Sequence, residues 1–378
     1  MLESARQFYD GRKAPAGAAL GSYMSVFEND AFDDHERVLF CRDPESRLSA
    51  IIAVHSTVLG PAAGGCRLWS YASDDEALTD VLRLAQGMSY KNAMAGLRLG
   101  GGKAVILKDE EFVGSDALFE RFGAFVDTLG GDYITAEDVG MTVDIMQTIA
   151  RGTRFVTGLP ATDGRAGGDP SPKTSFGVFK GIEAAVQHKL DRGSLSGLTV
   201  AVQGVGNVGY HLCRYLHGAG AYLIVADIDS TRVARVVDEF GARSADLDEI
   251  LTVEADVLAP CALGAVLSEQ SIPTLRAPIV AGGANNQLAT DQDGQRLRDA
   301  DVLYAPDYVI NGGGIINVAS EFYGDADDDE VFRRVGEIGP RLSGIFAEAD
   351  TESLPTNVVA DRQARRIIAA AADAAGNS

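Results

Sequence analysis

Cysteine and long apolar runs are scarce in this sequence of 378 residues, and each scarcity excludes a class of protein. The four cysteines lie far apart and form no CxxC pair, so we expect reduced thiols and neither a disulfide framework nor a metal site. No apolar run approaches the roughly 20 residues of a transmembrane helix, and the N-terminus lacks the apolar segment of a signal peptide. We therefore expect a cytoplasmic protein.

Positive charge is also in short supply. Lysine and arginine number 33 against 54 aspartates and glutamates, which gives a formal net charge of −21. Such a charge disfavours nucleic acid and anionic membrane as main partners, because both carry the same sign. What is present is apolar content of 46%, enough for a sizeable buried core, and a length that predicts two domains.

The chain changes its pattern near a Pro/Gly/Asp-rich stretch at residues 162–174, which predicts a loop close to a domain boundary. Before it, strand-like and helix-like runs mix; after it, strands and helices alternate regularly, as in a parallel sheet with helices on both faces. We predict an α/β protein with one domain from residues 1–152 and 346–378 and another from 153–345. The tail after about residue 330 is predicted to be helical and to pack on the first domain.

Residues 87–107, GMSYKNAMAGLRLGGGKAVIL, place Lys91 and Lys103 in glycine-rich, apolar surroundings. The pattern predicts a helix over residues 74–95 beginning after Ser73, a turn at the three glycines and a buried strand at 104–107. Burial and a second nearby cation both lower the pKa of a lysine, which turns it into a base near neutral pH. The alternative left open is that one lysine caps the helix C-terminus and the other is solvated.

The GGGK segment does not predict a nucleoside triphosphate site. Leu97 stands where the phosphate-binding loop needs its first glycine, and Ala104 replaces the Ser or Thr that would hold magnesium. A carboxylate pair follows in YITAEDVGMT at 133–142, where Asp138 either moves a proton or caps the next helix. Pattern alone does not separate these two roles.

The segment from Gly204 to Gly209, GVGNVG, follows the strand-like TVAVQ and opens a helix. In that context the glycines allow a tight turn, close approach of a pyrophosphate and close helix–strand packing. The next strand ends in Asp227, whose carboxylate suits a ribose 2′-hydroxyl and repels a 2′-phosphate. We therefore expect NAD rather than NADP, the alternative being a turn with incidental glycines.

Several long motifs occur together and in order: GPAAGGCR, GMSYKNAMAGLRLGGGK, ITAEDVG, AVQGVGNVGYHL, APCALG, GGANNQL and YAPDYVINGGG. The chain thereby resembles the Glu/Leu/Phe/Val amino acid dehydrogenase family over nearly its whole length, most closely the leucine and valine enzymes. The resemblance implies a Rossmann domain for NAD, a substrate-binding and oligomerisation domain, and a cleft between them. It also implies a homo-oligomer that converts an L-amino acid and NAD⁺ to a 2-oxo acid, ammonia and NADH.

The resemblance assigns roles by position. Lys91 would hold the substrate α-carboxylate, Lys103 would activate the attacking water, and Asp138 would shuttle protons. The substrate-binding residues would be Lys91, Gly64, Gly65, Ala63, Ala136, Asn285, Ile315 and Val318. The cofactor-binding residues would be Gly204, Gly206, Asn207, Val208, Gly209, Asp227, Ile228, Thr174, Cys261, Ala262, Ala284 and Asn285.

The substrate side chain is predicted from the same resemblance. Ala63 stands where glutamate-specific members carry a lysine, and Ala136 stands where phenylalanine-specific members tend to have glycine. With Ile315 and Val318 these residues would form an apolar pocket for leucine, valine or isoleucine. A phenylalanine or broad-specificity enzyme and a non-catalytic nucleotide-binding sensor are the alternatives, since a fold alone does not prove an activity. Lys173 departs from the family pattern without a predicted consequence.

Overall fold

The computed structural model describes residues 25–109, 112–160, 168–262 and 264–376, and these form two β-sheets with helices packed around them. Within these residues the strands are β1 Arg37–Asp43, β2 Leu48–Ser56, β3 Ala62–Trp69, β4 Gly100–Leu107, β5 Tyr133–Glu137, β6 Thr199–Gln203, β7 Tyr222–Ala226, β8 Arg243–Ser244, β9 Val257–Pro260, β10 Ile279–Val280 and β11 Leu303–Tyr304. The helices are α1 Asp74–Met94, α2 Asp116–Asp127, α3 Val143–Ile149, α4 Ser171–Leu190, α5 Asn207–Gly218, α6 Ser230–Phe240, α7 Gln292–Asp299, α8 Asp307–Ile310, α9 Gly313–Tyr323, α10 Asp328–Gly336, α11 Ile338–Glu352 and α12 Thr356–Gly376. None of the described helices is long and apolar enough to cross a membrane.

The two sheets differ in topology. The first has the order β1-β2-β4-β3-β5, with β2 antiparallel to both neighbours and β3 parallel to β4 and β5. The second has the order β11-β10-β9-β6-β7-β8 and is parallel throughout. The predicted two-domain α/β fold with a parallel sheet is therefore confirmed. The continuous apolar runs of β6 and β9 suit this sheet because helices cover both of its faces.

Helix α1 lies directly on β4, and the glycines that open this strand allow close approach by three neighbours: Ser89 of α1 at Gly101, Ser56 of β2 at Gly100 and the Tyr133 ring at Gly102. The helix begins as predicted, with the Ser73 hydroxyl accepting from the Glu76 N–H. The predicted turn at Gly100–Gly102 is wrong, because these glycines are the first three residues of β4. A Cβ at Gly101 would overlap the backbone of Ser89 on α1. The glycines thus serve close packing rather than chain reversal.

The C-terminal helices connect the two halves of the molecule. Helix α11 packs on α4, whereas α12 packs on α1, where the Arg365 guanidinium carbon lies 5.4 Å from the centroid of the Tyr90 ring. The tail is therefore helical, and its last helix contacts the first half of the chain. The domain boundaries given above stay a prediction.

The four cysteines are unpaired in the folded chain. Three are buried, and burial raises the pKa of the Cys41 thiol to about 12. The pKa of Cys261 is raised to about 11 for the same reason. Thiols with such pKa values stay protonated at neutral pH and are poor nucleophiles.

Candidate active site

A cleft with a volume of about 420 Å³ lies between the two sheets. Helix α1 and the ends of β3 and β5 form one side, and the loop after β10 and helix α9 form the other. Both predicted lysines line it, together with Asp138, Ala136, Ile315 and Val318. Its lining residues are Gly65, Arg67, Arg83, Leu84, Gly87, Met88, Lys91, Lys103, Ala136, Glu137, Asp138, Pro170, Asn285, Asn286, Asp307, Tyr308, Gly314, Ile315 and Val318.

Lys103 and Asp138 form an ion pair at the base of this cleft. Lys103 lies within β4 and is only 6% exposed, so the alternative of a solvated lysine is wrong. Asp138 follows β5 directly, and its other carboxylate oxygen accepts from the Val139 N–H at 2.6 Å. The capping role considered for Asp138 is also wrong, because the hydroxyl of Thr142 caps α3. β3 lies between β4 and β5, so the ion pair reaches across one strand, at the glycine-containing segment of β3.

The pKa of Lys103 is lowered to about 7, first by burial and then by the positive charges of Arg67 and Lys91. Arg67 lies on β3, and its guanidinium is held by Asp80 of α1 at 2.8 Å. The sequence analysis identified Lys91 as the neighbouring cation but missed Arg67. The available signal was its place in the GPAAGGCR motif, two residues after Gly65.

Lys91 lies in the last turn of α1, but its ammonium group donates to Oδ1 of Asn311 at 2.6 Å rather than to a helix carbonyl. Asn311 in turn donates to Oδ1 of Asn285 at 2.7 Å. Burial lowers the pKa of Lys91 to about 8, and the nearby Asp307 carboxylate opposes this shift. Asn311 therefore links Lys91, predicted to bind the substrate carboxylate, to Asn285, predicted to bind substrate and cofactor. Sequence reasoning missed Asn311, although it lies within the YAPDYVINGGG motif.

Not all predicted pocket residues line the cleft. Gly65 does, and a Cβ there would come within 2.7 Å of Cβ of Asp138, so this glycine leaves room for the ion pair. Ala63 instead packs in a buried cluster with Leu99, Ile134 and Ala319. The carbonyl of Gly64 accepts from the Tyr133 hydroxyl at 2.7 Å.

The glycine-rich turn joins β6 to α5 as its pattern predicts. Gly204 has φ +90°, a conformation that glycine adopts without strain, and a Cβ at Gly209 would overlap the Gly204 carbonyl. Gly206 precedes α5 without a side-chain cap, so the helix N-terminus keeps unsatisfied N–H groups. Asp227 accepts from the Val205 N–H at 2.8 Å, which ties the end of β7 to the turn. This cradle fits a dinucleotide pyrophosphate at a helix N-terminus.

The other predicted cofactor residues lie along the same edge of the second sheet. Cys261 and Ala262 follow β9, and Ala284 and Asn285 follow β10. Ligands of open α/β sheets bind outside this carboxyl edge. The remaining predicted residues are Asn207 and Val208 in the first turn of α5, Ile228 at 89% exposure after Asp227, and Thr174 in α4 near Gly314 of α9.

Two family sequence models match the chain: the Glu/Leu/Phe/Val dehydrogenase dimerisation domain over residues 35–155, and the Glutamate/Leucine/Phenylalanine/Valine dehydrogenase model over 169–247 and 228–372. The leucine dehydrogenase of Geobacillus stearothermophilus is 50% identical over 91% of this chain and 94% of its own length. The valine dehydrogenase of Streptomyces albus is 44% identical over 94% of this chain and 98% of its own length. The crystal structure of L-tryptophan dehydrogenase from Nostoc punctiforme matches with a TM-score of 0.80 at 43% identity, over 89% of this chain and 97% of that one.

Proposed function

The chain belongs to the Glu/Leu/Phe/Val dehydrogenase family, as its motifs predicted, and we propose that it oxidatively deaminates a branched-chain aliphatic L-amino acid with NAD⁺. The products are the 2-oxo acid, ammonia and NADH, and the reaction is reversible. The observation that carries this proposal is the pair of buried lysines in one cleft, Lys103 paired with Asp138 and Lys91 with Asn311, next to the dinucleotide-binding edge.

Lys91 is proposed to bind the α-carboxylate. Its pKa of about 8 leaves most of the ammonium charged at neutral pH, and a bound carboxylate would raise that pKa further. Asn311 fixes the ammonium, and Asn285 beside it can accept from the substrate amino group. With its carboxylate and its amino group both held, the α-carbon would direct its hydrogen toward the second sheet. Such positioning of the reacting atoms lowers the barrier to the reaction.

Lys103 and Asp138 are proposed to handle the protons. Neutral Lys103 takes a proton from the water that attacks the imino carbon, because its lowered pKa makes it a base near neutral pH. Asp138, bonded to Lys103, carries protons to the departing ammonia. Burial and, after it, the positive charge of Arg67 lower the pKa of Lys103, which increases the share of the neutral base near neutral pH.

The cofactor is proposed to be NAD, held by the Gly204–Gly209 turn. When bound, it accepts a hydride from the α-carbon. Both oxygens of the Asp227 carboxylate are fixed by backbone N–H groups, of Val205 at 2.8 Å and Asp229 at 2.9 Å. A carboxylate fixed at the end of β7 accepts from a ribose hydroxyl and repels a 2′-phosphate, which supports NAD over NADP.

Initial rates with a panel of L-amino acids test the proposal. We expect NADH formation with leucine, valine or isoleucine and NAD⁺, with a lower kcat/KM for glutamate because the proposed side-chain pocket of Ala136, Ile315 and Val318 is apolar. NADP⁺ is expected to support a much lower kcat/KM than NAD⁺. Absence of turnover with every amino acid would leave the nucleotide-binding sensor as the function.

An aromatic substrate is the second candidate, because a relative at 44% identity is named as an L-tryptophan dehydrogenase. Ala136 and Ile315, both largely buried at the cleft wall, narrow the space that a ring would need. We predict that Ala136→Gly raises the ratio of kcat/KM for phenylalanine to that for leucine about tenfold, within the range of pocket discrimination. Ala201→Gly, the same substitution in a buried strand away from the cleft, is the control. An unchanged ratio would show that Ala136 does not limit ring entry.

The pH dependence of kcat/KM follows from the pKa of Lys103. Because the neutral form acts as the base, kcat/KM is expected to rise with pH through about 7 and to be lost below it. The affinity for NAD⁺ over the same pH range serves as the control, since the dinucleotide turn lies apart from this lysine. An ascending limb near 10.5, the ordinary lysine value, would contradict a lowered pKa.

The proposed assembly is a homo-oligomer, and the proposed compartment is the cytoplasm. The first half of the chain matches a dimerisation-domain model, and β1 is an edge strand of its sheet among the described residues, with Phe40 at 56% exposure. Unpaired edge strands and exposed aromatic side chains favour pairing with another chain. Four unpaired thiols fit a reducing environment.

A further inference from the structure

A second cavity of about 460 Å³ is lined by other residues of α9 than those that line the cleft. Its floor is apolar and comes from Ala95, Leu97, Ile316 and Ala319, while Tyr323 stands at its side. Four arginines, Arg98, Arg333, Arg334 and Arg341, also line it, together with the carboxylates of Asp325 and Glu337. This concentration of positive charge stands out in a chain with a net charge of −21.

Three of these arginines are neutralised by neighbouring carboxylates. Arg98 and Arg334 both contact Asp325, at 3.4 and 3.0 Å. Arg333 and Arg334 both contact Glu330, at 2.7 and 2.9 Å. These side chains form a fixed rim, in which the Arg98 guanidinium also lies 4.8 Å from the centroid of the Tyr323 ring.

Arg341 is different, because no ion pair or hydrogen bond joins its guanidinium to any residue that the structure describes. It is partly buried, and burial lowers its pKa with only Glu337 opposing. The group lies beside Gly96, just past the C-terminus of α1, where a helix dipole attracts a cation but no carbonyl accepts from it. A desolvated guanidinium with free donors is costly unless a ligand or water satisfies it.

We propose that this cavity binds a small organic oxyanion, a carboxylate or phosphate carried on an apolar or aromatic body, with Arg341 as its anchor. A guanidinium presents its donors in a planar fork that matches both oxyanions. The apolar floor and the Tyr323 ring suit the body of the ligand, and the volume falls in the range of small-molecule sites. This site is separate from the proposed amino acid and NAD sites and does not depend on them.

Calorimetric titration of the full-length protein with phenyl phosphate, benzoate and inorganic phosphate tests the proposal, with benzyl alcohol as the neutral control. We expect saturable binding of phenyl phosphate or benzoate that weakens at least tenfold, about 1.4 kcal/mol, in Arg341→Met. Whichever of phenyl phosphate and benzoate binds more tightly shows whether the site prefers a phosphate or a carboxylate. Lys91→Met distinguishes binding in this cavity from carboxylate binding in the cleft. We expect this variant to bind phenyl phosphate or benzoate at the Arg341 site within twofold of the wild-type affinity.

Arg276→Met is the matched charge control, since Arg276 is exposed and pairs with Glu254 far from the cavity. If Arg341→Met does not fold, as judged by thermal unfolding, Arg98→Met at the exposed rim replaces it, with an expected loss of threefold or more. The proposal is overturned if no anion binds saturably, if benzyl alcohol binds as well as the anions, or if the arginine variant that folds keeps the wild-type affinity.

Discussion

Replacing Lys103 with methionine is expected to lower kcat by about 10³-fold or more. The substitution removes the only amine bonded to Asp138 among the described residues and with it the proposed proton acceptor for the attacking water. Methionine nearly matches lysine in length, and the site is 6% exposed, so β4 should keep its packing. NADH absorbance under saturating amino acid and NAD⁺ measures the effect.

Lys108→Met is the matched control, because Lys108 is exposed one residue after the end of β4. Its kcat is expected to stay at the wild-type value. Thermal unfolding of both variants shows whether the fold is retained. If Lys103→Met keeps more than a tenth of kcat, or keeps the ascending pH limb near 7, another group is the base.

Gly101→Ala is expected to destabilise the fold by about 3 kcal/mol or more and to lower kcat/KM by up to about 100-fold. The new Cβ would overlap the backbone of Ser89, and backbone cannot rotate away as a side chain can. Helix α1 must therefore move off β4, which carries Lys91 away from Lys103. Denaturant unfolding and initial rates measure the two effects.

Gly344→Ala provides the same substitution without the clash. Gly344 lies within α11, is exposed, and a Cβ there meets nothing within 4 Å. Alanine favours a helix over glycine by about 0.5–1 kcal/mol, so this variant should gain stability and keep its kcat/KM. If Gly101→Ala behaves in the same way, the close approach of α1 and β4 is not what fixes the two lysines.

Local patterns predicted the elements whose determinants are local. TVAVQ is a strand over the predicted residues, and the Ser73 cap marks the start of α1. Gly204 takes the left-handed conformation that the glycine fingerprint implies. The family resemblance supplied the identity of residues that line the cleft. Spacing alone did not decide whether the two lysines have a functional or only a structural role.

The contacts within the site could not be predicted in the same way. Lys91 bonds to Asn311, which lies 220 residues away in the chain, so no local rule relates them. The three glycines misled the turn rule because close packing against Ser56, Ser89 and Tyr133, rather than a positive φ, requires them. Lys173 had no predicted partner, yet it is buried and pairs with Asp328 at 2.6 Å, which links α4 to α10.

The glycine entry of β4 also bears on how this protein can change over evolutionary time. Any side chain at Gly101 would push α1 away from β4. Single substitutions at this position are therefore expected to disturb the placement of the two lysines. Ile315 and Val318 lie on α9 instead, where a larger or smaller side chain alters the pocket without touching β4. A change at Ile315 or Val318 can thus alter the proposed pocket while the packing of α1 on β4 stays in place.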